Sequence, residues 1–506
     1  MNTVLIALLI SQALFARTFG GPQEEYGRSV ARTVDGGFAV AGHTASFGAG
    51  GDDFLVLKLN SDGSLAWART FGGAQNDYAT SVARTTDGGV VVAGQTGSFG
   101  AGTVDFLVLK LNSSGGLSWA RTFGGTSGDF AYSITQTSDG GFVVAGSTLS
   151  FGAGNYDLLV LKLNSSGGLS WARTFGGTGD DRAYSIIQTT DGGFAVAGWT
   201  ASFGAGGLDF LVLKLNSSGG LSWARTFGGT NLDGGGFITQ TADGGFAVTG
   251  YTLNFALGDT NFLVLKLNSS GGLSWARTFG GTNHDYAYSI TQAADGGLAV
   301  AGYTAGFGAG GDDFLVLKLN SSGGLSWAKS FGGASGDRAY YIAQATDGGF
   351  AVVGATQSFG AGDVDLLVFK LDQNGNYPGC VQACSPTTTS PSPSSSSISV
   401  GADCSPSTSS PSLTVNTPAL TMTDVCYPLY EDVEEADFGS QPRITCSPVS
   451  GGLIFRSEVE AKIEIYSAEG RLTYSDQLQE GDNRIILETG VYLWKAGAYR
   501  GKAIVR

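Results

Sequence analysis

Six tryptophans recur at one interval: Trp67, Trp119, Trp171, Trp223, Trp275 and Trp327 lie 52 residues apart. Seven lysines keep the same period, from Lys58 through Lys110, Lys162, Lys214, Lys266 and Lys318 to Lys370. An Asp-Gly-Gly triplet opens at Asp35, Asp87, Asp139, Asp191, Asp243, Asp295 and Asp347. Such a period confines the chain to architectures in which one supersecondary unit is repeated and packs on its neighbours. Seven copies fill roughly residues 14–377.

The third copy divides into AYSITQT (131–137), GFVVAGST (141–148), DLLVLKLN (157–164) and LSWARTF (169–175). Between and after these runs lie Ser-Asp-Gly-Gly, Ser-Phe-Gly-Ala-Gly, Asn-Ser-Ser-Gly-Gly and Phe-Gly-Gly. Gly, Asn and Asp supply the positive φ that tight hairpins need. With 82 glycines in 506 residues, helices would be drained of stability and short strands are favoured. Four antiparallel strands per repeat, seven times over, predict an all-β fold, a seven-bladed β-propeller over residues 14–378. A stacked solenoid, the alternative, usually has shorter coils and atypical capping repeats, which this sequence lacks. The ends of the array favour ring closure. Copy seven stops after Phe369-Lys370-Leu371-Asp372, without its Trp-Ala-Arg strand. Leu14-Phe15-Ala16-Arg17-Thr18-Phe19 supplies the missing strand, with Phe15 in the tryptophan register 52 residues before Trp67. That strand is predicted to close blade seven and remove an open sheet edge.

The succession W-A-R-T-F-G-G, D, D-G-G-F-A-V-A-G and D-F-L-V-L-K-L-N-S-S-G resembles the glycine-rich propeller repeats of bacterial and archaeal surface proteins. K-L-N-S-S-G-G-L-S-W is also similar to the strand–turn–Trp of quinoprotein-type propellers. The resemblance covers about seven tenths of the chain. It implies the fold and leaves activity open.

Residues 1–13 carry the short apolar run VLIALLI (4–10) followed by Ser11-Gln12-Ala13, and read as a secretory signal cut after Ala13. No other stretch approaches the ~18 apolar residues of a transmembrane helix. Residues 379–447 form a Ser/Thr/Pro-rich linker, with PTTTSPSPSSSS at 386–397 and Cys380, Cys384, Cys404, Cys426 and Cys446 in or beside it. In an exported chain those cysteines suit disulfides better than a metal. Residues 448–506 alternate as short strands, and a small β-sandwich is predicted there. Lys462-Ile463-Glu464-Ile465-Tyr466, Glu469-Gly470-Arg471, Thr489-Gly490-Val491-Tyr492 and the final Lys502-Ala503-Ile504-Val505-Arg506 resemble the type A sorting domain of type IX secretion cargo. That resemblance implies the secretion machinery as a partner and an extracellular or cell-surface destination.

Lys+Arg 28 against Asp+Glu 43 gives a net charge of −15, which argues against nucleic acid as a partner. The two histidines, His43 and His284, occupy different registers, and no Ser-His-Asp or zinc motif accompanies either. Aspartates recur before the first strand of each copy, with Glu25 in copy one, and at the start of the third strand, with Asn261 in copy five. Both loops are predicted on the same face of the ring, where the copies differ most. The doublets Asp52-Asp53, Asp180-Asp181 and Asp312-Asp313 are the candidate ligand-binding residues. Clustered carboxylates suit calcium or a carbohydrate, and no other cofactor is implied. Capping of turns explains the same aspartates, and sevenfold recurrence favours it. The recurring tryptophans, with Phe15, read as structural inter-blade residues rather than as sugar platforms. Together these readings favour a binding or adhesion module, directed at an extracellular glycan or surface protein, over an enzyme. The alternatives are a quinoprotein-like or glycoside-hydrolase propeller and a purely structural surface-layer component.

Overall fold

Every copy places four strands in one antiparallel sheet. The computed structural model describes residues 14–376, apart from Ala205, residues 254–258, Thr282, Ala309 and Ala361, and the backbone of strands between 444 and 505. Blade one comprises Glu25–Arg32, Phe38–Thr44, Asp53–Leu59 and Leu65–Phe71, numbered here from the inner strand outward. Blade seven takes three strands from its own repeat, Asp337–Gln344, Phe350–Thr356 and Asp365–Leu371. Its fourth is Ala16–Phe19 from the N-terminus. The described residues 14–376 thus form an all-β seven-bladed β-propeller, closed as the register of Phe15 predicts. The closing strand pairs Ala16 with Phe369 and Phe19 with Leu366, and the Lys370 N–H donates to the Phe15 carbonyl at 2.7 Å.

Two-sided burial explains the composition of the middle strands. Successive side chains of a strand point to opposite faces. In blade one, Ala39, Ala41, Phe54 and Val56 pack on Val90, Val92, Leu107 and Leu109 of blade two. Val40, Leu55 and Leu57 face the other way, toward Ala351, Val353, Leu366 and Val368 of blade seven. Both faces are therefore apolar, and the second and third strands are buried along their whole length. Each fully buried large side chain contributes ~1.5–3 kcal/mol relative to exposure.

The seams carry the period-52 aromatics. The Trp67 indole N–H donates to the Ser113 carbonyl of the next blade at 3.2 Å. Its ring covers Gly115, whose φ of 81° suits glycine and where a Cβ would come within 2.9 Å of the ring. Trp119, Trp171, Trp223 and Trp327 lie likewise over Gly167, Gly219, Gly271 and Gly375. Phe15 takes this role between blades seven and one, lying over Gly63 and 6.1 Å from Phe38. Trp275 keeps the register on its outer strand, with the Arg277 guanidinium 5.7 Å from its ring.

The recurring lysine holds each blade's lower turn. Lys58 is buried, and its ammonium reaches Asp35 at 2.9 Å and the Leu59 carbonyl at 2.9 Å. The same pair joins Lys110 to Asp87, Lys162 to Asp139, Lys214 to Asp191, Lys266 to Asp243, Lys318 to Asp295 and Lys370 to Asp347. Burial alone would raise the Asp35 carboxyl, but the Thr33 hydroxyl, the Lys58 ammonium and the Gly37 N–H outweigh it and hold it at about 2.

The strands after residue 444 form two antiparallel sheets. One orders Ile444–Val449, Gly452–Ser457 and Gly481–Ile486. The other orders Leu472–Leu478, Ala461–Ser467, Gly490–Ala496 and Tyr499–Val505. Residues 1–13, most of the linker and all five cysteine side chains lie outside the described residues.

Two outcomes are expected. Phe15→Ala, at a residue 3% exposed, should cost ~3–5 kcal/mol, seen as a lower urea midpoint. Hydrogen exchange should rise at Leu366–Phe369, and an unchanged midpoint would refute closure through Phe15. The carboxyls of Asp35, Asp87, Asp139 and Asp191, held at about 2, stabilise the fold above the ordinary carboxylate range. Their contribution is lost as pH falls from ~4 through 2. Asp53 and Asp157 act oppositely, since burial raises both to about 6, and their contribution fades as pH rises through that value. Urea midpoints across pH 2–8 should therefore peak on the acid side of neutrality and fall steeply below ~4. Asp139→Asn should flatten the acid limb.

Candidate functional site

Near-identity of the copies makes their differences conspicuous. The register of Thr44 is Thr in all seven blades, whereas its neighbour reads His43, Gln95, Ser147, Trp199, Tyr251, Tyr303 and Ala355. The cross-strand partner reads Tyr26, Tyr78, Phe130, Arg182, Gly234, Tyr286 and Arg338. These registers share one end of the blades with the start of the third strand. The opposite end carries the Asp-Gly-Gly turns.

A second variable register lies on the inner strand itself: Arg28, Thr80, Tyr132, Tyr184, Gly236, Tyr288 and Tyr340. In each blade the pairing slips at this residue, as between Gly27 and Ser29. A β-bulge of this kind re-aims one side chain out of the alternation. Here the bulged side chains of six blades line a cavity of about 540 Å³ in the centre of the ring. The following serine stitches the blades together: Ser81 Oγ accepts the Ile134 N–H at 3.2 Å and Ser133 Oγ accepts the Ile186 N–H at 3.1 Å.

The bulged aromatics form a collar. Ring centroids run 4.9 Å from Tyr132 to Tyr184, 6.4 Å on to Phe237, 6.5 Å to Tyr288 and 5.5 Å to Tyr340. Arg28 continues it, its guanidinium carbon 4.3 Å from the Tyr340 centroid. Blade five contributes Phe237 from the next position because its bulge is Gly236. With φ 130°, a Cβ there would meet the Gly198 nitrogen at 2.3 Å. At blade two the collar is open, since Thr80 is short and its hydroxyl donates to the Ala131 carbonyl at 2.9 Å. Burial raises the Tyr132, Tyr184 and Tyr288 hydroxyls, so they stay neutral donors.

Around the mouth the variable residues pair with one another. Tyr26 stacks on His43 at 4.8 Å, and His43 meets Tyr78 edge-on at 4.8 Å. Burial, then the Arg28 charge, pull His43 down to about 3 and keep it neutral. Arg182 lies 3.8 Å from the Tyr156 centroid and 5.4 Å from Trp199. Arg338 stacks 4.8 Å from Tyr303 and reaches Asp312 at 2.5 Å.

The aspartate doublets divide by member. Asp53, Asp181 and Asp313 are buried. Asp53 accepts the Ala49 N–H at 2.7 Å, and Asp181 accepts the Gly177 N–H at 2.8 Å and the Ser202 hydroxyl at 2.6 Å. Asp52, Asp180 and Asp312 stand on the mouth. The Asp52 charge, after burial, helps push the Tyr78 hydroxyl up to about 12. Asp180 is 4.0 Å from Arg182, and Asp312 takes both Arg338 and, at 3.1 Å, His284 Nε2. Among the described residues, no three His, Cys, Asp or Glu side chains gather as metal ligands would. No helix of the described residues is long and apolar enough to cross a membrane.

Reading the aspartates drew attention to the end of the blades at which these registers lie but passed over registers 28 and 43. Aligning the seven copies column by column exposes both; the inward turn of register 28 needs the bulge.

A family model described as a domain of unknown function (DUF5122) beta-propeller matches residues 35–65. A regulatory protein, FlaEY, of Caulobacter vibrioides is 26% identical over 217 residues, covering 38% of this chain and 22% of that protein. The chain thus spans under a quarter of that relative's length. Among solved structures, the WD40 domain of Neurospora crassa Pan2 is 12% identical with a TM-score of 0.40, covering 72% of this chain and 92% of its own. A gluconolactonase from Xanthomonas campestris is 11% identical with a TM-score of 0.34, covering 71% and 90%.

Proposed function

We propose that this protein is an exported binding or adhesion module that takes its ligand at the collar and mouth of the propeller. One observation carries the reading: the inner-strand residues that differ among otherwise near-identical copies, Arg28, Thr80, Tyr132, Tyr184, Tyr288 and Tyr340, line one cavity. A scaffold-only role places no demand on these positions, and repeat proteins commonly concentrate variation on the binding face. Aromatic walls with a few polar groups are the usual make-up of a ligand cavity, and 540 Å³ lies within the ordinary range of roughly 300–1,000 Å³. Extracellular glycans and surface proteins are the partner classes, with calcium as an accessory ion to be tested at the mouth aspartates.

Export rests on the signal-like residues 1–13 and on the resemblance of residues 448–506 to a sorting domain of type IX cargo. In the source cell, deletion of 448–506 should leave the chain in the periplasm, detected by fractionation and surface labelling. Normal surface delivery of the truncated chain would remove the sorting role.

The binding reading is tested by probing glycan and matrix-protein arrays with the full chain, with calcium and with chelator. Thr80→Tyr, which completes the collar, should keep the thermal midpoint within a few degrees and weaken retention on the recognised ligand at least tenfold. Retention indifferent to Thr80→Tyr and to Tyr184→Ala, or silence across the arrays, would count against the collar.

A further inference from the structure

Three arginines occupy the variable registers, and one of them has no counter-ion among the described residues. Arg182 lies 4.0 Å from Asp180 and Arg338 lies 2.5 Å from Asp312. Among the described residues Arg28 makes no ion pair. It is held by rings instead, 4.3 Å from the Tyr340 centroid and 5.0 Å from Tyr26. Stacking engages the face of a guanidinium and leaves its in-plane N–H donors for an acceptor. No Asp or Glu lines the cavity in a chain of net charge −15. His43, on the same wall, is buried and neutral. Among the described residues that line the cavity, Arg28 alone is charged, with Arg182 close enough to act on the Tyr132 and Tyr184 hydroxyls.

We infer that the cavity receives an anionic saccharide, with the acid group on Arg28 and the sugar rings against the collar tyrosines. The inference rests on the binding reading above and names its ligand class. A carboxylate or a sulfate ester takes two parallel N–H bonds from a guanidinium, a geometry that an ammonium lacks. The saccharide follows from the rest of the wall. Ser81 and Ser133 each accept a backbone N–H from the next blade, so each hydroxyl retains its proton to donate. Neutral tyrosine hydroxyls add further donors beside flat aromatic faces. A purely apolar acid would leave these groups unpaired, whereas a polyhydroxylated ring with an apolar face meets both demands. The volume suits a short oligosaccharide, and the gap at Thr80 gives it room next to Arg28.

Calorimetric titration of the full chain with trigalacturonate, its methyl ester and a sulfated galacto-oligosaccharide tests this. One of the two acidic ligands should bind at least tenfold tighter than the ester, and the comparison of the two acids tells carboxylate from sulfate. Arg28→Gln should bring the acid down to the level of the ester, Arg28→Lys should recover part of the loss, and salt should weaken only the acidic ligand. The acid–ester contrast needs no variant, so it holds even if Arg28→Gln folds poorly. Equal binding of acid and ester, indifference to Arg28→Gln, or no binding of either acid would overturn the inference. The binding reading fails separately: array ligands sensitive to Thr80→Tyr but neutral would sustain it without the acid, and ligands indifferent to Thr80→Tyr would sink it.

Discussion

Everything in the propeller depends on the two middle strands of each blade being apolar on both faces. A sheet of that kind cannot stand alone, because whichever face is left uncovered exposes valine, leucine and phenylalanine to water. Each blade therefore needs a neighbour on either side, and a closed ring is the arrangement that gives every blade two. The contribution of Ala16–Phe19 to blade seven completes this at the point where chain connectivity would otherwise leave an edge. Phe15 over Gly63 repeats, across the joint, what Trp67 does over Gly115.

The seams are fixed by Phe54, Val56, Leu57 and their copies, together with inner-strand residues such as Val30, Val82 and Ile134. The inner strand's bulge turns one residue per blade toward the axis without disturbing the second strand, and that residue is free to vary. The opposite end is secured by the recurring Lys–Asp pairs, in which the lysine is buried and the aspartate faces the turn. Asymmetry arises from three substitutions in this inner circuit: Arg28 introduces a charge, Thr80 opens a gap, and Gly236 hands its place to Phe237. A ring of seven near-copies thereby acquires one distinguishable side.

Legibility followed the chemistry of each position. The period, the strand count and the closing strand could all be read from Trp67 and its copies, because a half-buried seam aromatic must recur wherever the seam recurs. The collar was harder. Strict alternation places residue 28 on a sheet face, and only the slip between Gly27 and Ser29 turns it inward. Asp53 and Asp181 were open to two readings, ligand contact or turn capping, and they are buried against loop N–H groups, while Asp52, Asp180 and Asp312 beside them stand on the mouth. Tyrosine in a strand reads as core, and nothing local separates Tyr132 of the collar from Phe142 of the seam.

The central claim is that ligand is taken at the variable end of the channel. Hydroxyl-radical footprinting of the full chain, with and without a saturating array ligand or trigalacturonate, addresses it directly. Protection should appear at Tyr78, Tyr132, Tyr184 and Tyr340, with Trp119 and Trp171 on the outer seams unchanged. Protection confined to the outer tryptophans or to the Asp-Gly-Gly end, with the collar tyrosines as reactive as before, would contradict the account.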